Sequence, residues 1–254
     1  MNIVDMKWVL PVALLLLIAP AFSVEETGYR ECTSILVGKG ATVDGSVIHG
    51  YSADGAKYCY LEYMPAAEHS PGETFSVYTF DGSKIGEIPQ LERTCAVWTS
   101  MDGAETPLSS GGINEFQVSI AETTIDENGA LFCDRAMINY PNLMLLTLQR
   151  SRSAREAVDV MAGLVEEYGF YMEWGCGECI TISDPTEAWV FEVFGPGSEW
   201  RFDSSNPGAV WVAREIEDDE IFVSANRARI GEIIEGVNRS SNVFSLAEDL
   251  GLWD

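Results

Sequence analysis

"YRECTSILVGKGATVDGSVIHGYSADG", running from Tyr29 to Gly55, decides how the rest of the chain is read. Thr33 to Lys39 and Ser46 to Tyr51 are apolar, β-branched runs. Asp44-Gly45 between them suits a tight turn, so the two runs read as a β-hairpin. The hairpin sets Cys32 at the head of its first strand, and the second strand runs back beside it to deliver Asp54 to the same end. A cysteine placed there is either half of a structural disulfide or a nucleophile.

The residues upstream bear on that choice. "MNIVDMKWVLPVALLLLIAPAFSVEE" places Lys7 before an apolar stretch from Trp8 to Ala19, then Ala21 and Ser23 at the small-residue spacing of a signal-peptidase site. Cleavage before Val24 is expected, which makes residues 1–23 a signal peptide and the product secreted or held on the cell-envelope exterior. The apolar run is shorter than the roughly 20 residues that span a bilayer. No stable membrane insertion is therefore expected once the signal is removed. Lipoprotein processing needs small residues directly before the cysteine, whereas Arg30 and Glu31 stand there. Residues 24–31 read as a short propeptide whose loss makes Cys32 the first residue.

That position carries a chemical consequence. An unperturbed α-amino group has a pKa of roughly 7.7 to 8.0, so part of it is neutral at physiological pH and can take the thiol proton. The base is then the nucleophile's own amine. The chain offers only His49 and His69 as imidazole bases, each read as an ordinary polar residue. It has no "HExxH" and no "GxxxxGK[ST]", and Gly38, Gly40 and Gly45 miss the dinucleotide spacing. If Cys32 is kept as a thiol, the other five cysteines (Cys59, Cys95, Cys133, Cys176, Cys179) cannot all pair within one chain. "CGEC" at Cys176 to Cys179 lacks a second Cys/His pair to complete a zinc set. Neither a metal nor an organic cofactor is implied.

With 254 residues and 46% apolar content, residues 32–254 are expected to fold as one domain. The 15 basic against 40 acidic residues give a net charge of −25, and Asp5 cancels Lys7, so removal of the signal leaves the balance unchanged. Such a surface repels nucleic acid and anionic lipid. "SVYTF", "CAVWTS" and "FQVSIAETTI" read as strands. From Asn142 the period becomes helical: "NLMLLTLQR" precedes Ser153 and Glu156 at capping-box spacing. Ala157, Val158, Met161, Leu164 and Val165 then follow, ending near Gly169. "CITISD" and "AWVFEVF" form a hairpin around "PTE", followed by the strands "GAVWVARE" and "EIFVSAN". Hairpin-joined strands with a helical pair indicate an α+β layered fold rather than a parallel doubly wound sheet.

Five blocks carry a resemblance: "ECTSILVGKGATVDGSVIHGYSADG", "GGINEFQVSIAETTI", "LTLQRSRSAREAVDVMAGLVEEYG", "ECITISDPTEAWVFEV" and "GAVWVAREIEDDEIFVSANRARIGE". In this order they resemble the dipeptidase A-type cysteine peptidases of the N-terminal nucleophile (Ntn) hydrolases, with bile-salt and penicillin V acylases as more distant relatives. The resemblance implies a four-layer αββα sandwich in which Cys32 attacks an amide carbonyl and forms a thioester. It also implies that Asp54 orients the new amino terminus and that Asn226, in "SANRARIG", helps bind the reacting carbonyl oxygen. The rival readings are a solvated turn for Asp54 and a helix cap for Asn226. Many relatives have an arginine beside the nucleophile in the second strand, where this chain has Tyr51. They also continue well past "VFSLAEDLGLWD", so the chain is expected to be a truncated form or a fragment, with an open apolar face or sheet edge and a tendency to form homo-oligomers. The activity expected is hydrolysis of short peptides, chiefly dipeptides. The alternatives are an Ntn amidase for a non-peptide amide and an inactive extracellular binding domain that keeps the fold.

Overall fold

Strands β1 (Thr33–Val37) and β2 (Ile48–Ser52) pair antiparallel, with Leu36 opposite His49 and Ser34 opposite Tyr51. The expected hairpin therefore forms, but not its tight turn: the connection spans residues 38–47. Backbone contacts made elsewhere explain the longer loop. Gly38 N donates to Glu220 O at 3.0 Å and Gly40 N to Asp218 O at 2.6 Å, binding the loop to the turn before a third strand. A Cβ at Gly38 would lie 2.4 Å from both Glu217 O and Asp218 O, so only glycine permits this approach.

The structure is a computed structural model that describes residues 32–53, 59–102, 108–126, 128–172, 175–233 and 235–252. After β2 come β3 (Cys59–Met64), β4 (Ala67–Glu68), β5 (Thr74–Tyr78), β6 (Lys84–Pro89), β7 (Arg93–Thr94), β8 (Val97–Asp102), β9 (Leu108–Asn114) and β10 (Ser119–Ile125). Helices α1 (Tyr140–Arg150) and α2 (Ala154–Tyr168) follow, then β11 (Gly177–Ser183), β12 (Ala188–Phe194), β13 (Val210–Glu215), β14 (Ile221–Ser224), β15 (Asn238–Arg239) and α3 (Val243–Asp249). β14, β1 and β2 make a small sheet, and β15-β13-β12-β11-β10-β9-β8-β3 make an antiparallel large one.

Side-chain parity sorts the core into two slabs. On β11 and β12, Ile180, Ile182, Phe191 and Val193 pack with Leu143, Met144, Leu146, Val158, Met161 and Val165 of the helices. The alternate residues Cys179 and Val190 meet Leu36 and Phe222 of the small sheet. Every residue of β11 is buried, as a central strand covered on both faces must be. The layers among the described residues are thus helices, large sheet and small sheet. A second helical layer, which the resemblance implied, is not found among them. Ser153 caps α2 by accepting from Glu156 N at 3.1 Å, while Glu156 Oε2 accepts from Arg152 N at 2.8 Å. The capping box therefore closes one residue earlier than its usual form.

Candidate active site

The antiparallel register of β1 and β14 sets Ser34 opposite Ser224. Two residues further along each strand (34 − 2 and 224 + 2) bring Cys32 against Asn226. Cys32 N donates to Asn226 Oδ1 at 2.8 Å, and Asn226 Nδ2 donates to Thr124 O at 2.8 Å. A backbone N–H needs an acceptor and a carbonyl needs a donor, so this amide orientation satisfies both. Asn226 has φ 54°, in the left-handed region that asparagine enters more readily than most residues. The β9–β10 pairing reaches Ile120 opposite Gly112 and no further. Asn226 takes up the Thr124 carbonyl beyond that point.

Cys32 shares the inward face of β1 with Ser34 and Leu36, and its side chain is buried. Tyr51, opposite Ser34, directs its hydroxyl to Glu122 Oε1 at 2.9 Å and lies 3.8 Å from Cys32 Sγ. Cys32 Sγ lies 4.0 Å from Glu122 Oε1. Glu122 on β10 and Glu178 on β11 are diagonal neighbours, because Thr124 is the residue opposite Glu178. Thr124 Oγ1 donates to Glu178 Oε1 at 3.1 Å. Burial, then the charge of Glu122 and a hydrogen bond with it, hold the Glu178 carboxyl well above the usual carboxylate range. The protonated form of Glu178 is favoured accordingly. Burial first, with Glu122 and Cys32 beside it, also pushes the Tyr51 phenol far above its ordinary value, so its hydroxyl stays a donor. A neutral hydroxyl donor and a buried carboxyl, Glu122, therefore lie beside the thiol.

Sequence reasoning missed both glutamates. A chain with 40 acids gives no reason to single out two of them. The one usable signal was parity: Glu122 lies on the face of β10 that carries buried Ile120, and Glu178 on the face of β11 that carries buried Ile180 and Ile182. Asp54 lies outside the described residues. All six cysteines are thiols, with Cys133 and Cys179 buried and Cys59 exposed. Burial pushes the Cys179 thiol up to about 12, so the second cysteine of "CGEC" serves as an apolar core residue.

The two imidazoles are bonded elsewhere. His69 Nδ1 lies 2.5 Å from Glu73 Oε1 and Nε2 3.2 Å from Thr94 Oγ1. His49 is held between Thr181 Oγ1 (2.9 Å) and Ser183 Oγ (3.2 Å) of β11. Burial, partly offset by a hydrogen bond with the Ser119 backbone, lowers the His49 imidazole to about 4. Between pH 6.5 and 4 the unfolded chain therefore binds this proton and the folded chain does not, so stability falls as pH falls. The expected loss from this one group is on the order of 3 kcal/mol across that window. Urea unfolding at pH 7, 5.5 and 4.5 checks it: the His49→Gln variant should show a shallower acid decline than the parent. Parallel declines would remove His49 as the cause.

The sequence matches the profile of Peptidase family C69 across residues 31–250. It is 30% identical over 233 residues to Dipeptidase A of Lactobacillus helveticus, covering 87% of this chain and 44% of that protein. It is 25% identical over 238 residues to a probable dipeptidase of Salmonella dublin, covering 88% and 50%. The chain thus spans about half the length of the curated relatives it matches. Among solved structures, a mutant of the conjugated bile acid hydrolase from Clostridium perfringens aligns with a TM-score of 0.41 at 14% identity, over 63% of this chain and 47% of that one. Penicillin V acylase from Agrobacterium tumefaciens aligns with a TM-score of 0.40 at 10% identity, over 77% and 50%.

Proposed function

The chain belongs to Peptidase family C69, and from that premise we propose that it is an exported cysteine peptidase that hydrolyses short peptides, dipeptides foremost, with Cys32 as an amino-terminal nucleophile. The names of its relatives support the substrate class. The mechanism rests on one observation: Asn226 fixes the backbone nitrogen of Cys32 at 2.8 Å, at the head of the strand that carries the thiol.

While Glu31 is attached, that nitrogen is an amide and has no basic lone pair. Removal of residues 1–31 converts it to an amine in the same place, with Asn226 Oδ1 holding one of its hydrogens. The thiol proton passes to this amine as Cys32 Sγ attacks the peptide carbonyl carbon. The carbonyl oxygen takes up the negative charge, and Asn226 Nδ2, which gives one hydrogen to Thr124 O, offers it the other. The tetrahedral intermediate collapses as the ammonium returns its proton to the departing amine, leaving a thioester. Water, deprotonated by the same amine, then hydrolyses the thioester and restores the thiol. Tyr51 keeps a neutral hydroxyl beside the sulfur and can turn from Glu122 to the thiolate. It supplies a donor where an arginine would supply a charge.

The test is the mature amino terminus together with its activity. Mass spectrometry of the exported protein should find Cys32 as the first residue. Dipeptide hydrolysis should be absent from a form that retains Glu31 and present once Glu31 is removed. A fully active protein that begins upstream of Cys32 would refute the amine-as-base mechanism.

A further inference from the structure

At the far end of β10 from Thr124, a cleft of about 420 Å³ opens between the segment after β7, the β9–β10 turn and the α1–α2 junction. Arg93, Arg150 and Arg152 line it, beside Cys95 and Phe116. Three arginines lining one cleft are unexpected in a chain with 15 basic residues and a net charge of −25. Among the described residues none of the three forms an ion pair; the ion pairs there use Lys39, Lys84, Arg135, Arg155, Arg214, Arg227 and His69.

Two carboxylates also line the cleft, and both are engaged with backbone. Glu115 Oε1 accepts from Ala96 N at 2.9 Å, and Glu156 Oε2 accepts from Arg152 N at 2.8 Å. The formal sum is three cations less two anions, or +1, inside a strongly anionic molecule. Arg150 gives one terminal nitrogen to Pro89 O at 2.9 Å and Gln90 Oε1 at 3.3 Å, while its buried Nε has no acceptor among the described residues. Its charge is therefore partly buried without a counter-charge, an arrangement a bound anion relieves. Arg152 Cζ lies 5.2 Å from the centroid of the Phe116 ring, a cation–π contact that holds its guanidinium at the cleft wall.

The frame is built in advance of any ligand. Cys95 N donates to Gln149 O at 2.8 Å and Glu115 N to Ala96 O at 2.9 Å. Asn114 Nδ2 bonds Leu148 O at 2.9 Å and Ser151 O at 2.7 Å. The cleft walls are thus tied to one another by hydrogen bonds to the main chain. From this geometry we infer that the cleft is a binding site for a small multivalent oxyanion, phosphate or a di- or tricarboxylate, held by Arg93, Arg150 and Arg152 and separate from the Cys32 site. Forked N–H donors match such oxygens in pairs, and the volume admits a molecule larger than phosphate itself.

Thermal unfolding of the whole protein in sodium phosphate, in sodium citrate and in sodium chloride at matched ionic strength tests the inference. The chloride arm subtracts the screening that salt gives any molecule of this charge. Saturable stabilisation beyond chloride is expected from phosphate or citrate, and the arm that gives it identifies the oxyanion. Arg93 and Arg152 are exposed, so Arg93→Gln and Arg152→Gln should fold normally, and each should weaken the apparent affinity by about tenfold. Arg201→Gln, outside the cleft, should leave it unchanged. Site-resolved alkylation gives a second reading. Cys95 is half-buried in the cleft, so the bound anion should protect it from iodoacetamide, and the protection should vanish in the Arg93→Gln/Arg152→Gln double variant. If neither anion exceeds chloride, or if the double variant responds as the parent does, the cleft is not an anion site.

Discussion

Cys32→Ala, made in a chain that begins at residue 32, should abolish dipeptide hydrolysis, with turnover falling by on the order of 10⁴-fold or more. Cys32 carries the only thiol in the described site, and burial keeps the neighbouring Tyr51 hydroxyl a neutral phenol. Cys32→Ser should recover little: a hydroxyl is far less acidic than a thiol and gives its proton to the same amine less readily. Steady-state kinetics on a dipeptide panel measures both variants, and intact-mass analysis during a single turnover should detect the thioester only with cysteine present. Hydrolysis that survives Cys32→Ala would return this residue to a structural role.

Asn226→Ala comes next in expected size, with turnover reduced roughly 100- to 1000-fold, as removal of one oxyanion donor typically gives. The same change removes the bonds to Cys32 N and Thr124 O, so some loss of stability is expected, up to about 3 kcal/mol. Asn226→Asp separates the two roles. It keeps an acceptor for the Cys32 amine but offers no N–H to the reacting oxygen. Activity as low as that of the alanine variant would assign Asn226 to the oxyanion, and near-normal activity would leave it only the task of holding the amine. A variant with normal turnover but a large drop in melting temperature would reduce Asn226 to a structural tie.

The outline of the fold was legible wherever local chemistry and tertiary demand agree. The β1–β2 pair, the β11–β12 hairpin and both long helices follow from apolar period and from the Ser153–Glu156 cap. β9 was not legible, since "LSSGGIN" has two glycines and one β-branched residue, and pairing with β8 and β10 alone makes it a strand. The turn at Asp44-Gly45 misled because the loop's partners, Glu217 to Glu220, lie far away in sequence. In the site, the position of Cys32 and the sequence around Asn226 drew attention, but Glu122 and Glu178 did not. What distinguishes those two acids from the rest is burial against each other, and burial is a property of the folded sheet.

Cys32 meets Asn226 because each lies two residues beyond the Ser34–Ser224 pair of two antiparallel strands, and this bears on how the gene can change length. The loop over residues 38–47 and the turn over 216–220 lie outside β1 and β14, so codons added there leave the count from Ser34 to Cys32 and from Ser224 to Asn226 intact. A single codon gained or lost between Ser224 and Asn226 instead brings Ala225 or Arg227 opposite Cys32 and turns the Asn226 side chain to the other face of the sheet. Insertions and deletions should therefore be tolerated in residues 42–47, clear of the Gly38, Gly40 and Ala41 contacts, and excluded from the stretch between Ser224 and Asn226. A library of one-residue indels, scored by hydrolysis, would draw that boundary directly.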